Sequence, residues 1–162
     1  MKKKIRFSIC FLLLMIIFPL SSSAAYQGWD LVDSSKHLDY DDNSTKYSLS
    51  VVAGVKLWEG YKRGIIRPDS WNHLQDVKIL DYYSKNNTIG YTIRNGKIYF
   101  NDYHFKNMTT SQRIHTATHE LGHALGMDHT NGTYDIMSQG KKSLTALSST
   151  DKSNYNIAYT HY

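Results

Sequence analysis

Cysteine is nearly missing from this chain: among 162 residues there is one, Cys10, inside the apolar run from Ile9 to Leu20. The segment "MKKKIRFSICFLLLMIIFPLSSSAA" has a basic start, that apolar run, and small residues at Ser23 and Ala25. It reads as a secretory signal peptide over residues 1–25, cut after Ala25. The run is short for a membrane anchor, and no small residues stand just before Cys10 as a lipidation site would require. Removal of the segment takes the only cysteine with it, which excludes disulfides from the mature chain. A secreted, disulfide-free domain fits a bacterial exoprotein, extracellular and without stable membrane association.

Positive charge is scarcer than the totals suggest. Of 19 Lys and Arg, four (Lys2, Lys3, Lys4, Arg6) belong to the targeting segment, leaving fifteen against 14 acidic residues. A mature chain so close to neutrality implies no nucleic-acid partner. Proline occurs twice, and no repeat, low-complexity block or long linker interrupts the chain. Residues 26–162 therefore read as one compact domain, taken to be a monomer. Glutamate is rarest of the charged types, with only Glu59 and Glu120.

The first helix is expected in "STKYSLSVVAGVKLWEGYKRG", capped by Ser44 or Thr45 and closed by Gly64 and Pro68, with Val51, Val55 and Trp58 on one face. "DVKILDYYS" reads as a strand. "TIGYTIRNGKIYFND" offers two alternating runs around Asn95-Gly96, a strong hairpin signal, with one arm at a sheet edge. "MTTSQRIHTATHELGHALG" returns to helical spacing. Thr109 and Gln112 can form a capping box, Ile114, Ala117, Leu121 and Leu125 supply the apolar face, and Gly126 supplies a left-handed stop. Expected core positions are Val55, Trp58, Ile79, Ile98, Phe100, Leu121 and Leu125.

Within that last helix, "THELGHALGMDHT" packs His119, Glu120, His123 and His129 into thirteen positions. Residues four apart on a helix are turned by about 40° and lie about 6 Å apart along the axis, so His119 and His123 can aim at one point. Glu120, turned by about 100° from His119, stands beside that point rather than on it. Gly126 lets the chain leave the helix so that His129 can return to it. Three imidazoles suit one Zn2+ ion with a fourth position open, as a catalytic site needs. His115, a further turn upstream, lies too far along for the same metal and is expected to be packed or solvated.

"HELGHALGMDH" resembles the extended motif H-E-x-x-H-x-x-G-x-x-H of the metzincin metalloproteases at every specified position. "YDIMS" is similar to their Met-turn, which makes Met137 the apolar floor under the ligands. Spacing is most similar to the matrixin branch, as is "SLTALSSTDKSNYNIAY", with an early Asp151 and a late Tyr159 in a final helix. The resemblance implies an α+β fold: a twisted, mostly parallel sheet with an antiparallel edge strand, two long helices, and a small C-terminal subdomain with Met-turn and final helix. It also implies metal ligands at His119, His123 and His129 and a catalytic Glu120. Upstream, "GKIYFND" is similar to the family's substrate-binding edge strand, placing the pairing edge near Lys97 to Phe100.

Ser138 and Gln139 replace the proline and tyrosine that matrixins carry after the Met-turn methionine, so the wall of the main specificity pocket does not transfer. The missing tyrosine also argues against an extra ligand there. The short Asn95-Gly96 hairpin stands in place of a long ion-binding loop, and structural zinc and calcium are not expected; neither is a cysteine-switch propeptide. A third ligand from a downstream glutamate is excluded because Glu59 lies upstream. The expected activity is a secreted zinc endopeptidase acting on extended protein or peptide substrates. Two other classes remain: a zinc-stabilised binding module, which would need no base at Glu120, and a tyrosine-rich adhesion domain, for which no repeat or anchor is present.

Overall fold

The computed structural model describes residues 26–162, so the signal-peptide segment lies outside the described residues. Nine elements follow in order: β1 (Leu38–Ser44), α1 (Ser48–Glu59), β2 (Ile66–Pro68), β3 (Val77–Tyr82), β4 (Gly90–Ile93), β5 (Lys97–Asn101), α2 (Asp102–Phe105), α3 (Thr110–Ala124) and α4 (Ser149–Tyr159). The five strands form one sheet in the order β2-β1-β3-β5-β4. All pairs are parallel except β4 with β5, which is antiparallel. The fold is thus α+β with an antiparallel edge. Among the described residues no helix is long and apolar enough to cross a membrane.

The Asn95-Gly96 hairpin forms as expected, with Gly96 at φ 76° making the turn that a side chain would strain. Its position in the sheet corrects one expectation. Residues 97–100 lie in β5, which is flanked by β3 and β4, so they are interior; the edge is β4. The sequence similarity lay in the more apolar arm, and apolar content follows burial rather than edge position. Ile98 and Phe100 are buried in β5, while Tyr91 in β4 is exposed.

Two strands have no clear trace in the sequence. In β1, Leu38, Asp39, Tyr40 and Asp41 are all buried, so polar and apolar positions do not separate into two faces. The carboxylates are tolerated because Arg67 pairs with Asp39 and Lys78 with Asp41. Strand β2 is only three residues and ends in Pro68. Ser44 ends β1 rather than capping α1, and Tyr47 occupies the N-cap position without a side-chain cap. Thr45 instead donates to Asp81, whose carboxylate also accepts the Lys46 N–H, so the turn is fixed from β3. α1 ends at Glu59, ahead of the expected Gly64 stop. Glu59 folds back to accept the N–H groups of Gly64, Ile65 and Ile66, which makes it a structural glutamate.

α1 and α3 pack closely. A Cβ at Gly54 would lie 3.0 Å from the Thr118 amide, so a side chain there would push the two helices apart by a few tenths of an ångström. Trp58, fully buried, donates its indole N–H to the Thr118 carbonyl at 2.9 Å. Its ring meets Tyr155 of α4 edge to face, joining the two helices to the C-terminal part. All seven expected core residues are buried.

Candidate active site

Helix α3 is fixed at both ends by sequence-local chemistry. Thr109 and Gln112 form the expected capping box. At the other end Met127 N–H bonds the Gly122 carbonyl and Gly126 N–H bonds the His123 carbonyl, with Gly126 at φ 86°. This is a Schellman stop, and it turns the chain back toward the helix face that carries His119 and His123. His129 lies three residues beyond Gly126.

The result is a triangle of nitrogens. Nε2 of His119, His123 and His129 are 3.2, 3.1 and 3.2 Å apart. Ligands on a tetrahedral zinc at the usual zinc–nitrogen length of ~2.0–2.1 Å would stand about 3.3 Å apart, so the donor set fits that ion closely. The other ring nitrogens support this use. Nδ1 of His119 faces the Ile136 carbonyl at 2.8 Å and Nδ1 of His123 faces the Met127 carbonyl at 2.9 Å. Each Nδ1–H donates to its carbonyl, leaving the Nε2 lone pair directed inward. The Gln139 amide lies 3.2 Å from Nδ1 of His129 and accepts the same kind of bond when its oxygen faces the ring. Burial pushes the pKa of His119 down to about 3 and that of His123 to about 4, so both rings are neutral.

Met137 lies under this triangle, fully buried. A Cβ on Gly122, between the two helical histidines, would stand 2.3 Å from its sulfur. The turn is closed by the Thr130 N–H on the Met137 carbonyl at 2.9 Å. It is held from below by Asp151 of α4, whose carboxylate accepts from Ile136 N–H at 2.9 Å, Met137 N–H at 3.1 Å and Ser148 N–H at 2.9 Å. One buried carboxylate thus caps α4 and sets the carbonyl that orients His119. Ser138 stays inside the turn, bonding the Asp135 carbonyl and Lys142, so this turn is built with polar bonds where a proline is usual in the resemblance.

Glu120 opens onto the same cleft of about 470 Å³ as the three histidines. Burial pushes its pKa up to about 7, partly offset by a hydrogen bond from Thr92. The Thr92 hydroxyl lies 2.8 Å from Oε2 and 3.0 Å from the Glu120 carbonyl. A cation on the three nitrogens would act in the opposite direction to burial. Thr92 belongs to the edge strand β4, so the strand that rims the cleft also orients the carboxylate. Nothing in the sequence marked Thr92, because its partner is 28 residues away. Gln27 and Trp29 line the cleft as well, in a segment that runs along the end of α3 through Gln27 N–H to the Gly126 carbonyl and Leu31 N–H to the Ala124 carbonyl.

His115 is packed rather than solvated, at 1% exposure, and also lines the cleft. A second set of acidic side chains, Asp33, Asp39 and Asp76, converges among the described residues. Arg67 bonds both oxygens of Asp39 there, and Asp76 accepts the Asp39 N–H, so the group carries its own counter-ion.

A triangle of histidine nitrogens that could hold a metal ion, set over a methionine turn with a glutamate in the same cleft and an antiparallel edge strand along the rim, agrees with what is known of one protein family. The matrixin family profile matches residues 25–159. No curated protein matches the chain closely. The match spans most of the chain, including the sheet as well as the histidine helix, and the chain belongs to the matrixin family of metallopeptidases.

Proposed function

We propose that residues 1–25 direct secretion and that residues 26–162 form a monomeric, extracellular zinc endopeptidase. His119, His123 and His129 hold one Zn2+ ion, and Glu120 is the catalytic residue. The observation that carries this reading is the triangle of inward-facing Nε2 atoms at 3.1–3.2 Å in the same cleft as the Glu120 carboxylate. Zinc bound there supplies Lewis acidity, which acidifies water and polarises a peptide carbonyl.

The chain's own groups do the remainder. Glu120, oriented by Thr92, takes a proton from the attacking water on its carboxylate and passes it to the departing amine. The carbonyls of Ile136 and Met127 keep His119 and His123 in the tautomer that donates outward and binds inward. An extended peptide adds to β4, the free edge, through backbone bonds that are independent of its side chains. Gly90, with no side chain, lets that rim lie close against Glu120: a Cβ there would stand 3.3 Å from Oε1. Met137 keeps the floor apolar and dry.

The test is cleavage of an unstructured protein by residues 26–162, beside Glu120→Ala and a zinc chelator. Glu120→Ala is expected to bind one zinc and cut nothing, and chelation to stop the wild type. Undiminished cleavage by the variant would refute the assignment.

A further inference from the structure

Residues 26–31 are tied to the end of α3 at several points. Gln27 N–H bonds the Gly126 carbonyl at 2.9 Å and Leu31 N–H the Ala124 carbonyl at 2.8 Å. The Gln27 side-chain amide donates to the His123 carbonyl at 2.6 Å and to the Trp29 carbonyl at 3.2 Å. These bonds fix Trp29, half-buried, in the wall of the cleft. From the β4 side Arg94, in the turn that follows the strand, lays its guanidinium over the indole, 5.6 Å from the ring centroid. Arg94 is exposed, and among the described residues it makes no ion pair. The carboxylate of Asp30, next to Trp29 in the chain, accepts the Tyr26 hydroxyl and the Val32 N–H instead. Asp128, also at the cleft, turns one oxygen to the His129 N–H. A surface arginine ordinarily samples many rotamers; stacked on a fixed indole, its planar fork of donors is held ready at the end of the cleft.

We infer that Arg94, positioned by Trp29, selects substrates with an acidic side chain, glutamate or aspartate, two or three residues N-terminal to the cleaved bond. The inference rests on the endopeptidase reading and names the substrate class of that same cleft. Strand β4 runs alongside α3 in the same direction, with Gly90 against Thr116 and Thr92 against Glu120. Arg94 follows Thr92 by two residues, about 7 Å of strand, and so stands toward the His123 end. A peptide added antiparallel to β4, the more stable pairing, with its cleaved bond at Glu120, sends the residues before that bond toward Arg94. A carboxylate there can accept two parallel N–H bonds from the guanidinium without lifting it off the indole, because stacking uses the face of the fork and hydrogen bonding its edge. A carboxamide of the same shape offers one oxygen and no charge, and a lysine is repelled.

Matched peptides test this directly. Glu against Gln, and Asp against Asn, are nearly equal in shape and differ in charge. Each pair is placed at the second and third residues on either side of the cleaved bond in an otherwise fixed sequence. The ratio of kcat/KM within each pair is measured at low and high salt for wild type, Arg94→Gln, Arg94→Glu and Trp29→Leu. The wild type is expected to favour the acidic peptide by about fivefold or more at low salt, on the N-terminal side, with the ratio shrinking as salt rises. Arg94→Gln should bring the ratio to about one, Trp29→Leu should lower it, and Arg94→Glu should prefer a lysine peptide to the glutamine one. As a check independent of turnover, calorimetric binding of the same uncut peptides to zinc-loaded Glu120→Ala protein should rank the acidic peptide tighter. Equal use of both members of a pair by the wild type, an acidic preference confined to the C-terminal side, or a preference that Arg94→Gln leaves unchanged overturns the inference while leaving the endopeptidase reading standing. A folded, zinc-loaded wild type that cuts none of the peptides overturns both.

Discussion

Gly122 lies between His119 and Glu120 on one side and His123 on the other, and its replacement by alanine gives a prediction whose sign depends on tertiary contact alone. In an isolated helix Gly→Ala stabilises by about 1 kcal/mol. Here the added Cβ would lie 2.3 Å from the Met137 sulfur and 3.1–3.2 Å from the terminal methyls of Met137 and Met127, all buried. The sulfur must retreat by more than an ångström, about the distance to ordinary contact. Its turn is pinned by the Thr130 bond and by Asp151, so the shift falls on the packing. Overpacking of this kind costs about 1–3 kcal/mol, more where the neighbour cannot move. The net expectation for Gly122→Ala is a loss of about 1–2 kcal/mol, or roughly 3–10 °C in Tm for a domain of this size. Displacing Ile136, whose carbonyl orients His119, should also weaken zinc binding by about tenfold. Thermal melts with and without zinc, together with chelator competition, measure both effects. A variant that melts at or above the wild-type temperature with unchanged zinc affinity would refute the reasoning.

Asp151→Ala leaves three backbone N–H groups without their acceptor, two of them in the buried turn, and should cost about 3–5 kcal/mol by denaturant unfolding, whereas an ordinary cap loss is about 1 kcal/mol. Thr92→Val keeps the shape of the edge strand but removes the hydroxyl on Glu120; kcat for peptide cleavage should fall by about tenfold, and Thr92→Ser should restore most of it. Asp102 has its pKa held below the usual carboxylate range, first by the Tyr47 hydroxyl and then by Lys46. Because the folded-state value is the lower one, its stabilisation is complete above the unfolded carboxylate range and disappears as pH falls through the folded value. The gap in unfolding free energy between wild type and Asp102→Asn should therefore be open at pH 6 and narrow toward pH 3; a gap that is constant with pH would show that Asp102 is not stabilising through its charge.

The histidine helix was legible in the sequence because everything that shapes it is local. The capping box spans three residues, the paired histidines four, and Gly126 stops the helix through bonds to residues within the preceding turn. The hairpin was legible for the same reason, since Asn95-Gly96 sets its own turn. Strands β1 and β2 were not, because Asp39 and Asp41 are made acceptable by cations from other strands and hide the alternation.

The sequence by itself determined the grouping of three histidines, the glutamate beside it and the turn that brings His129 back, since i,i+4 spacing and a left-handed glycine are properties of the chain within a few residues. Only the tertiary structure decided that β4 and not β5 is the outer strand of the hairpin, that Thr92 holds Glu120, that Asp151 supports the turn beneath His119, and that His115 is buried beside the cleft. Each of these depends on groups brought together from distant parts of the chain or on which surface is left uncovered. No periodicity along the chain encodes such contacts, because they exist only once the sheet, the helices and the methionine turn are packed together.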